Sequence, residues 1–290
     1  MLKLVAVLVS LVAAVVLSLG VWLQNEAFDK RTNEGITGRL SLKNFKSLLK
    51  RKRWLGGFGL IATASILQIV SLSLAPLIVV QPVGAVALIV TALLNARAAK
   101  IAITRSSWYA MALSTLGIGV FVVVAAQVAQ DQETLSDDSL RTVLGLLIII
   151  LVLFLVSFFT IAKKAKALTY ILGAGVLYGF VASLIKVVIQ RILQGQFEWL
   201  TVICALATVG ALVLGGWFVQ NAYASGPPDL VIAGLTVIDP MVGVSIGIVV
   251  LGEAQAANLG TMITFVASAL VAIVGVWMLS KVHPELSKKA

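Results

Sequence analysis

Cysteine and histidine are nearly missing from this chain of 290 residues, which holds one of each, Cys204 and His283. A single cysteine forms no intrachain disulfide, and a single histidine, lying beyond the last apolar run, excludes cysteine and histidine metal clusters and a Ser/His/Asp triad by residue count alone. Charge is scarce too: only 12% of the residues are charged, and twelve of them are acids against 22 Lys and Arg. What fills the chain instead is apolar. Hydrophobic residues make up 60% and the mean hydropathy is +1.07, which places it in the polytopic membrane class before any motif is considered. The expected fold is all-α, and no catalytic residue, enzymatic activity, cofactor or metal centre is expected.

A helix needs about 20 apolar residues to span a bilayer, and nine runs meet that rule. They are Leu4–Leu23, Trp54–Leu74, Pro76–Asn95, Trp108–Gln127, Val143–Ile161, Leu168–Ile189, Leu200–Gln220, Leu230–Leu251 and Ala256–Leu279. Trp54 to Ala96 is too long for one crossing, so Pro76 marks a turn between two. The first run lacks a small-residue cleavage site and carries its basic flank on the C-terminal side, so it reads as a span rather than a signal peptide. Lys and Arg then set the orientation: eighteen gather on one side of the nine crossings, and Lys3, Arg141 and Arg191 fall on the other with the acidic loop around Asp131, Glu133, Asp137 and Asp138. The expected location is the inner membrane of a bacterium, with the N-terminus outside and the C-terminus cytoplasmic.

The net charge of +10 is thus mostly a topology signal, and no nucleic-acid partner is expected. Within residues 38–53, GRLSLKNFKSLLKRKR, apolar positions at helical spacing are interleaved with Lys43, Lys46, Lys50, Arg51 and Arg53. That pattern fits a helix lying on anionic lipid, the alternative being a plain positive-inside loop.

The stretch QNAYASGPPDLVIAGLTVIDPMVGVSIGIVVLGE, Gln220 to Glu253, holds an acid followed by proline at the middle of an apolar run. An ionisable group at that depth costs roughly 2.5–3.5 kcal/mol on insertion scales, so Asp239 faces protein or a cavity and is a site candidate by default. Pro240 removes a backbone donor and marks a hinge. On a helix, Thr236, Asp239, Gly243 and Ile246 share a stripe. The structural alternative is an acid that caps freed backbone or pairs with Gln220, Asn221 or Lys186. Lys186 ends the small-residue face of YGFVASLIK, where it either neutralises Asp239, meets an anionic substrate or snorkels to the surface. Tyr178, Gln68, Gln81, Gln220 and Asn221 are uncharged polar candidates near helix ends or breaks, each of which doubles as interhelical glue. Glu253 falls at the outer surface, where ordinary exposure accounts for it.

The chain also repeats itself. Gln68, Ser71, Ser73 and Pro76 match Gln220, Tyr223, Ser225 and Pro228 at one offset, and VVQPVGAVALIV (79–90) matches VIDPMVGVSIGIV (237–249). Gln81-Pro82 therefore pairs with Asp239-Pro240, and Asn95 with Glu253. Residues 1–130 form the first copy, 131–166 an acidic loop and linker helix, and 167–290 the second copy. The odd linker inverts the second copy, a recurrent transporter design with interrupted helices near the midplane.

These residues resemble the drug/metabolite transporter superfamily with its EamA-type repeats, in which a proline-bearing helix ends in a Gly-Glu signature and leads into the last helix of the repeat, as Pro240 and Gly252-Glu253 do. The order of APLIVVQP and SGPPDLVIAGLTVIDP resembles a bacterial branch, and nine helices are similar to the NIPA-like magnesium-transporter branch. The first copy departs by carrying Asn95 where Glu253 stands in the second. The resemblance implies a transporter and leaves the substrate open; with the inverted repeats and the acid inside a span, the expectation is alternating-access movement of a small or amphipathic solute, with proton coupling through Asp239. Alternatives are a flippase for an anionic lipid or lipid-linked molecule, a Mg²⁺ transporter, and a membrane scaffold without transport. Partners are then a small-molecule or lipid substrate, membrane lipids and a second copy in a homodimer.

Overall fold

The structure, a computed structural model, describes residues 1–33, 52–98, 100, 102–130, 136–160, 166–225 and 228–287. Helices α1 (Leu2–Asn33) and α2 (Lys52–Leu74) are followed by a short α3 (Leu77–Val80), a 3₁₀ turn (Gln81–Ala85) and α4 (Val86–Ala98). Then come α5 (Arg105–Val128), α6 (Asp137–Thr160), α7 (Lys166–Leu193), α8 (Trp199–Ser225), α9 (Pro228–Val249) and α10 (Leu259–Ser287). Among the described residues nine helical stretches are long and apolar enough to cross a membrane, with α3, the 3₁₀ turn and α4 counting as one. The chain is an all-α, multi-pass membrane protein. With no water in hydrocarbon to pair its peptide groups, such a chain has only helices with which to span.

The elements begin and end where local chemistry dictates. Thr104 caps α5, its hydroxyl accepting from the Ser107 N–H at 3.2 Å, and the Asn258 side chain accepts from the Thr261 N–H at 2.9 Å to start α10. Pro76 lacks the donor that would continue α2, so the chain breaks there as the sequence predicts. Pro82 lies in a 3₁₀ turn, whereas Pro240 lies inside an unbroken α9. The expected hinge at Pro240 thus falls within continuous helix. Gly175 and Gly179 of α7 let Ile238, Val242 and the Asp239 carbonyl come close, and this packing braces α9 across its missing hydrogen bond.

Small residues decide which helices touch. A Cβ on Gly57 would stand 2.7 Å from the Gly20 carbonyl, so α1 and α2 pack backbone to backbone, and Ser71 adds a hydroxyl bond to the Ala6 carbonyl at 2.8 Å. The α5–α10 contact is reciprocal. Gly117 lies against the backbone of Ser268 and Ala272, and Gly275 against that of Ala110 and Ser114. Gly117 and Gly275, Ala110 and Ser268, and Ser114 and Ala272 each stand 158 residues apart, the same separation as Gln81 and Asp239. A two-fold relation between α5 and α10 produces that reciprocity. Helix α7 is the most enclosed, with 67% of its span buried, and it carries the contacts that matter below.

Polar contacts also fasten the start of α1 to the end of α5 and the end of α7 to the start of α6. Lys3 Nζ caps α5 through the Ala126 and Ala129 carbonyls at 2.9 and 2.5 Å, and the buried Arg191 pairs with Asp137 at the start of α6. If the basic residues orient the chain as the sequence predicts, these contacts lie on the outer side. Single cysteines at Ser136 and Lys52, in a background with Cys204 replaced, read this directly: Ser136→Cys should react with an impermeant thiol reagent from outside and Lys52→Cys should not, and the reverse pattern sinks the orientation. The basic segment 38–53, with Lys43, Lys46, Lys50 and Arg51, lies outside the described residues apart from Lys52 and Arg53 at the start of α2.

Candidate functional site

The two copies of the proline motif meet. Gln81, held by the 3₁₀ turn, is buried and donates its Nε2–H to Asp239 Oδ1 of α9 at 3.3 Å. The α9 face turned toward α3 and the 3₁₀ turn is a stripe at four-residue spacing, Asp239, Gly243 and Gly247. A Cβ on Gly243 would come within 2.5 Å of the Gln81 amide nitrogen, and one on Gly247 within 2.6 Å of Glu253 Oε2. The glycines therefore make room for two polar side chains, one per turn. Tyr178 of α7 lies within electrostatic reach of Asp239, and its ring lies against Gly215 of α8.

Magnitudes separate Asp239 from ordinary glue. A hydrogen bond contributes about 0.5–1.5 kcal/mol net, or about 1.5–3 kcal/mol if the acid is charged, against roughly 2.5–3.5 kcal/mol for placing an acid at that depth. The bond to Gln81 offsets only part of that cost over most of these ranges, so an acid is a costlier choice here than a neutral donor or acceptor.

Lys186 does not neutralise Asp239 through the contacts seen, nor does it snorkel. It is 1% exposed, and its Nζ donates to the Leu72 and Ala75 carbonyls at 2.9 Å each. These are acceptors that the break at Pro76 leaves at the end of α2. Glu253 corrects the expectation of surface exposure: it is 2% exposed, and its carboxylate accepts from the Leu77 N–H at 2.8 Å and the Ile78 N–H at 2.9 Å, donors at the start of α3. A cation at a helix C-terminus and an anion at a helix N-terminus each have the favourable sign. The two charges thus grip the same break from both sides. Glu253 turns inward because Gly252 adopts φ 63°, a left-handed conformation that favours glycine, and the Leu251 and Glu253 N–H groups reach back to the Ile246 and Gly247 carbonyls. That is the physical content of the Gly-Glu pair. The sequence signal was present in Pro76, Gly252 and Glu253, but nothing in a linear reading brings residues 76 and 253 together.

The remaining candidates separate. Gln68 accepts from Ser10 Oγ at 3.3 Å and joins α1 to α2, some distance along the helix from the break. Gln220 is exposed, and Asn221 bonds the Trp217 carbonyl of its own helix at 2.8 Å. Neither bonds Asp239, whose side-chain partner is Gln81. The repeat pairing of Gln68 with Gln220 therefore has no counterpart in contact, whereas Gln81 with Asp239 does.

Behind the polar crossing lies a cleft. Pro82 and Pro240, each the residue after a polar partner, line a cavity of about 220 Å³ with Phe121, Val244, Phe265 and Ala269 among its other walls. Its lining is apolar apart from Thr236 and Ser245. Met241 and Val266, on its rim, are 49% and 61% exposed, so the cleft opens sideways between α9 and α10. The volume is below the roughly 300–1,000 Å³ of pockets that enclose a whole drug-sized ligand, which suits part of one.

No family model matches the chain, and no solved structure matches it. Among curated proteins it is similar to an uncharacterized protein of Corynebacterium glutamicum, 25% identical over 252 residues that cover 87% of this chain and 86% of that protein.

Proposed function

We propose that the protein moves an amphipathic solute across the membrane by alternating access, with Asp239 carrying a proton or cation in step with it. The observation that carries this reading is the contact of two repeat-related, proline-bearing segments at Gln81 and Asp239 with a laterally open apolar cleft on the other side of the same prolines. A scaffold needs neither an acid at that depth nor a cleft beside it. The resemblance to the drug/metabolite transporter superfamily supports the same reading, as does the reciprocal α5–α10 contact, since inverted repeats rocking around a central site are a transporter design. An apolar cleft open to the side suits a solute with an apolar part reached from the bilayer better than a fully polar metabolite.

The test uses purified protein in liposomes and fluorescent single-chain amphiphiles with cationic, neutral or anionic head groups. Gradient-driven movement of at least one of them is expected with the parent and is lost in Val244→Trp, which fills the cleft while its indole stays in apolar surroundings. Rates equal to those of protein-free liposomes for all three head groups overturn the amphiphile reading.

A further inference from the structure

We infer that the break at Pro76 is the gate at this end of the path, and that Lys186 and Glu253 are its latch. The inference deepens the transport reading and rests on it, since a gate presupposes a path. Its geometry stands apart from the crossing at Asp239. Helix α3 is four residues long and sits between the break at Pro76 and the 3₁₀ turn that begins at Gln81, so it is a short plug bounded by irregular backbone at both ends. All four of its residues, Leu77 to Val80, are fully buried. The next residue is Gln81, so the plug stands directly over the polar crossing.

What holds the plug comes from the other half of the chain. Lys186 on α7 and Glu253 after α9 bond the backbone on either side of Pro76, and the Glu253 carbonyl also accepts from the Gln130 N–H at 2.9 Å. These contacts bring two ionisable side chains onto backbone ends. A buried charge in such a position is strongly held while paired and costly while dry and unpaired, so the two halves have two stable arrangements: latched, or apart with water at both partners. The junction lies beside the end of α5, where Gln130 bonds Glu253 and Lys3 bonds the Ala129 carbonyl, and water reaches such an end on opening. The reported conformation is the closed one. Lys186 and Glu253 are positioning residues in this account, since they touch the backbone of the gate and not the solute.

The experiment reads accessibility, so it does not depend on knowing the solute. In a background with Cys204 replaced, Val80→Cys reports from the last residue of the plug, next to Gln81, and Ala92→Cys, buried in the separate cluster of Leu88, Ile89, Met111 and Leu279, reports from the opposite end. Impermeant thiol reagents are applied to each face of the membrane in turn. Glu253→Gln, and independently Lys186→Gln, is expected to speed Val80→Cys modification from the junction side about tenfold or more, the shift that follows loss of a hydrogen bond to a charged group. Modification of Ala92→Cys from the other face should slow at the same time. Both reporters speeding up together means a loosened fold, and neither changing means a static cap; either result overturns the gate. So does failure of both variants to insert, which marks the contacts as caps needed for folding. If the reporters move in opposite directions but no amphiphile is carried, the gate stands and the choice of solute falls.

Discussion

Gly117→Leu and Gly275→Leu are each expected to lower stability by about 3 kcal/mol, the largest losses among single replacements in the bundle. A Cβ at Gly117 would stand 2.5 Å from the Ala272 nitrogen and 2.7 Å from the Ser268 carbonyl, and one at Gly275 would meet the backbone of Ser114 and Ala110. These neighbours are main chain inside helices and have no flexible end to swing away. Any side chain therefore pushes α5 and α10 apart. Overpacking costs about 1–3 kcal/mol where side chains yield, and the upper end applies where backbone must move, against a total stability of about 5–15 kcal/mol. The two glycines lie in one interface, so a separation forced by one accommodates the other, and the double variant should lose clearly less than the sum of the singles. Gly119→Leu is the control, since nothing lies within 4 Å of its added Cβ. Detergent-solubilised yield and thermal unfolding measure all four. A Gly117→Leu protein that melts with the parent would show that α5 and α10 are not in contact in the membrane.

How much of this was legible in the sequence depended on whether the signal was local. Span number followed from apolar length, which the bilayer fixes, and the break at Pro76 from a missing donor, whereas limits shifted: the fifth span starts at Asp137 and not at the expected Val143. The pairing of Gln81 with Asp239 was legible because a repeat carries long-range information inside the sequence itself. The same reasoning over-read Gln220, since equivalence in a repeat places two residues in like positions without bringing them together. Lys186 and Glu253 were judged by their distance from helix ends, which treats every terminal charge as wet. Their burial comes from the chain break they serve, a feature of another helix more than 100 residues away. Proline usually disrupts a helix, yet α9 runs unbroken through Pro240, where α7 approaches closely at Gly175 and Gly179, a contact invisible in one helix's sequence.

Asp239→Asn is expected to abolish accumulation against a gradient while leaving the protein folded. Asparagine has nearly the shape of aspartate and keeps an oxygen to accept from Gln81 Nε2, so the contact at 3.3 Å survives and stability should stay within about 1 kcal/mol of the parent. What disappears is the ability to take up and release a proton. One proton falling through one pH unit supplies about 1.36 kcal/mol, enough for about tenfold accumulation of a neutral solute moved with it. The parent should approach that ratio in liposomes with an imposed pH step, and the variant should stop at equal concentrations on both sides. Exchange of labelled for unlabelled solute needs no net proton movement and should persist in the variant, which separates a lost coupling from a broken protein. Gln81→Ala, by contrast, removes the donor and leaves the acid titratable, so accumulation should continue at altered rate. If Asp239→Asn still accumulates solute as the parent does, the acid is a structural partner of Gln81 and the driving ion binds elsewhere.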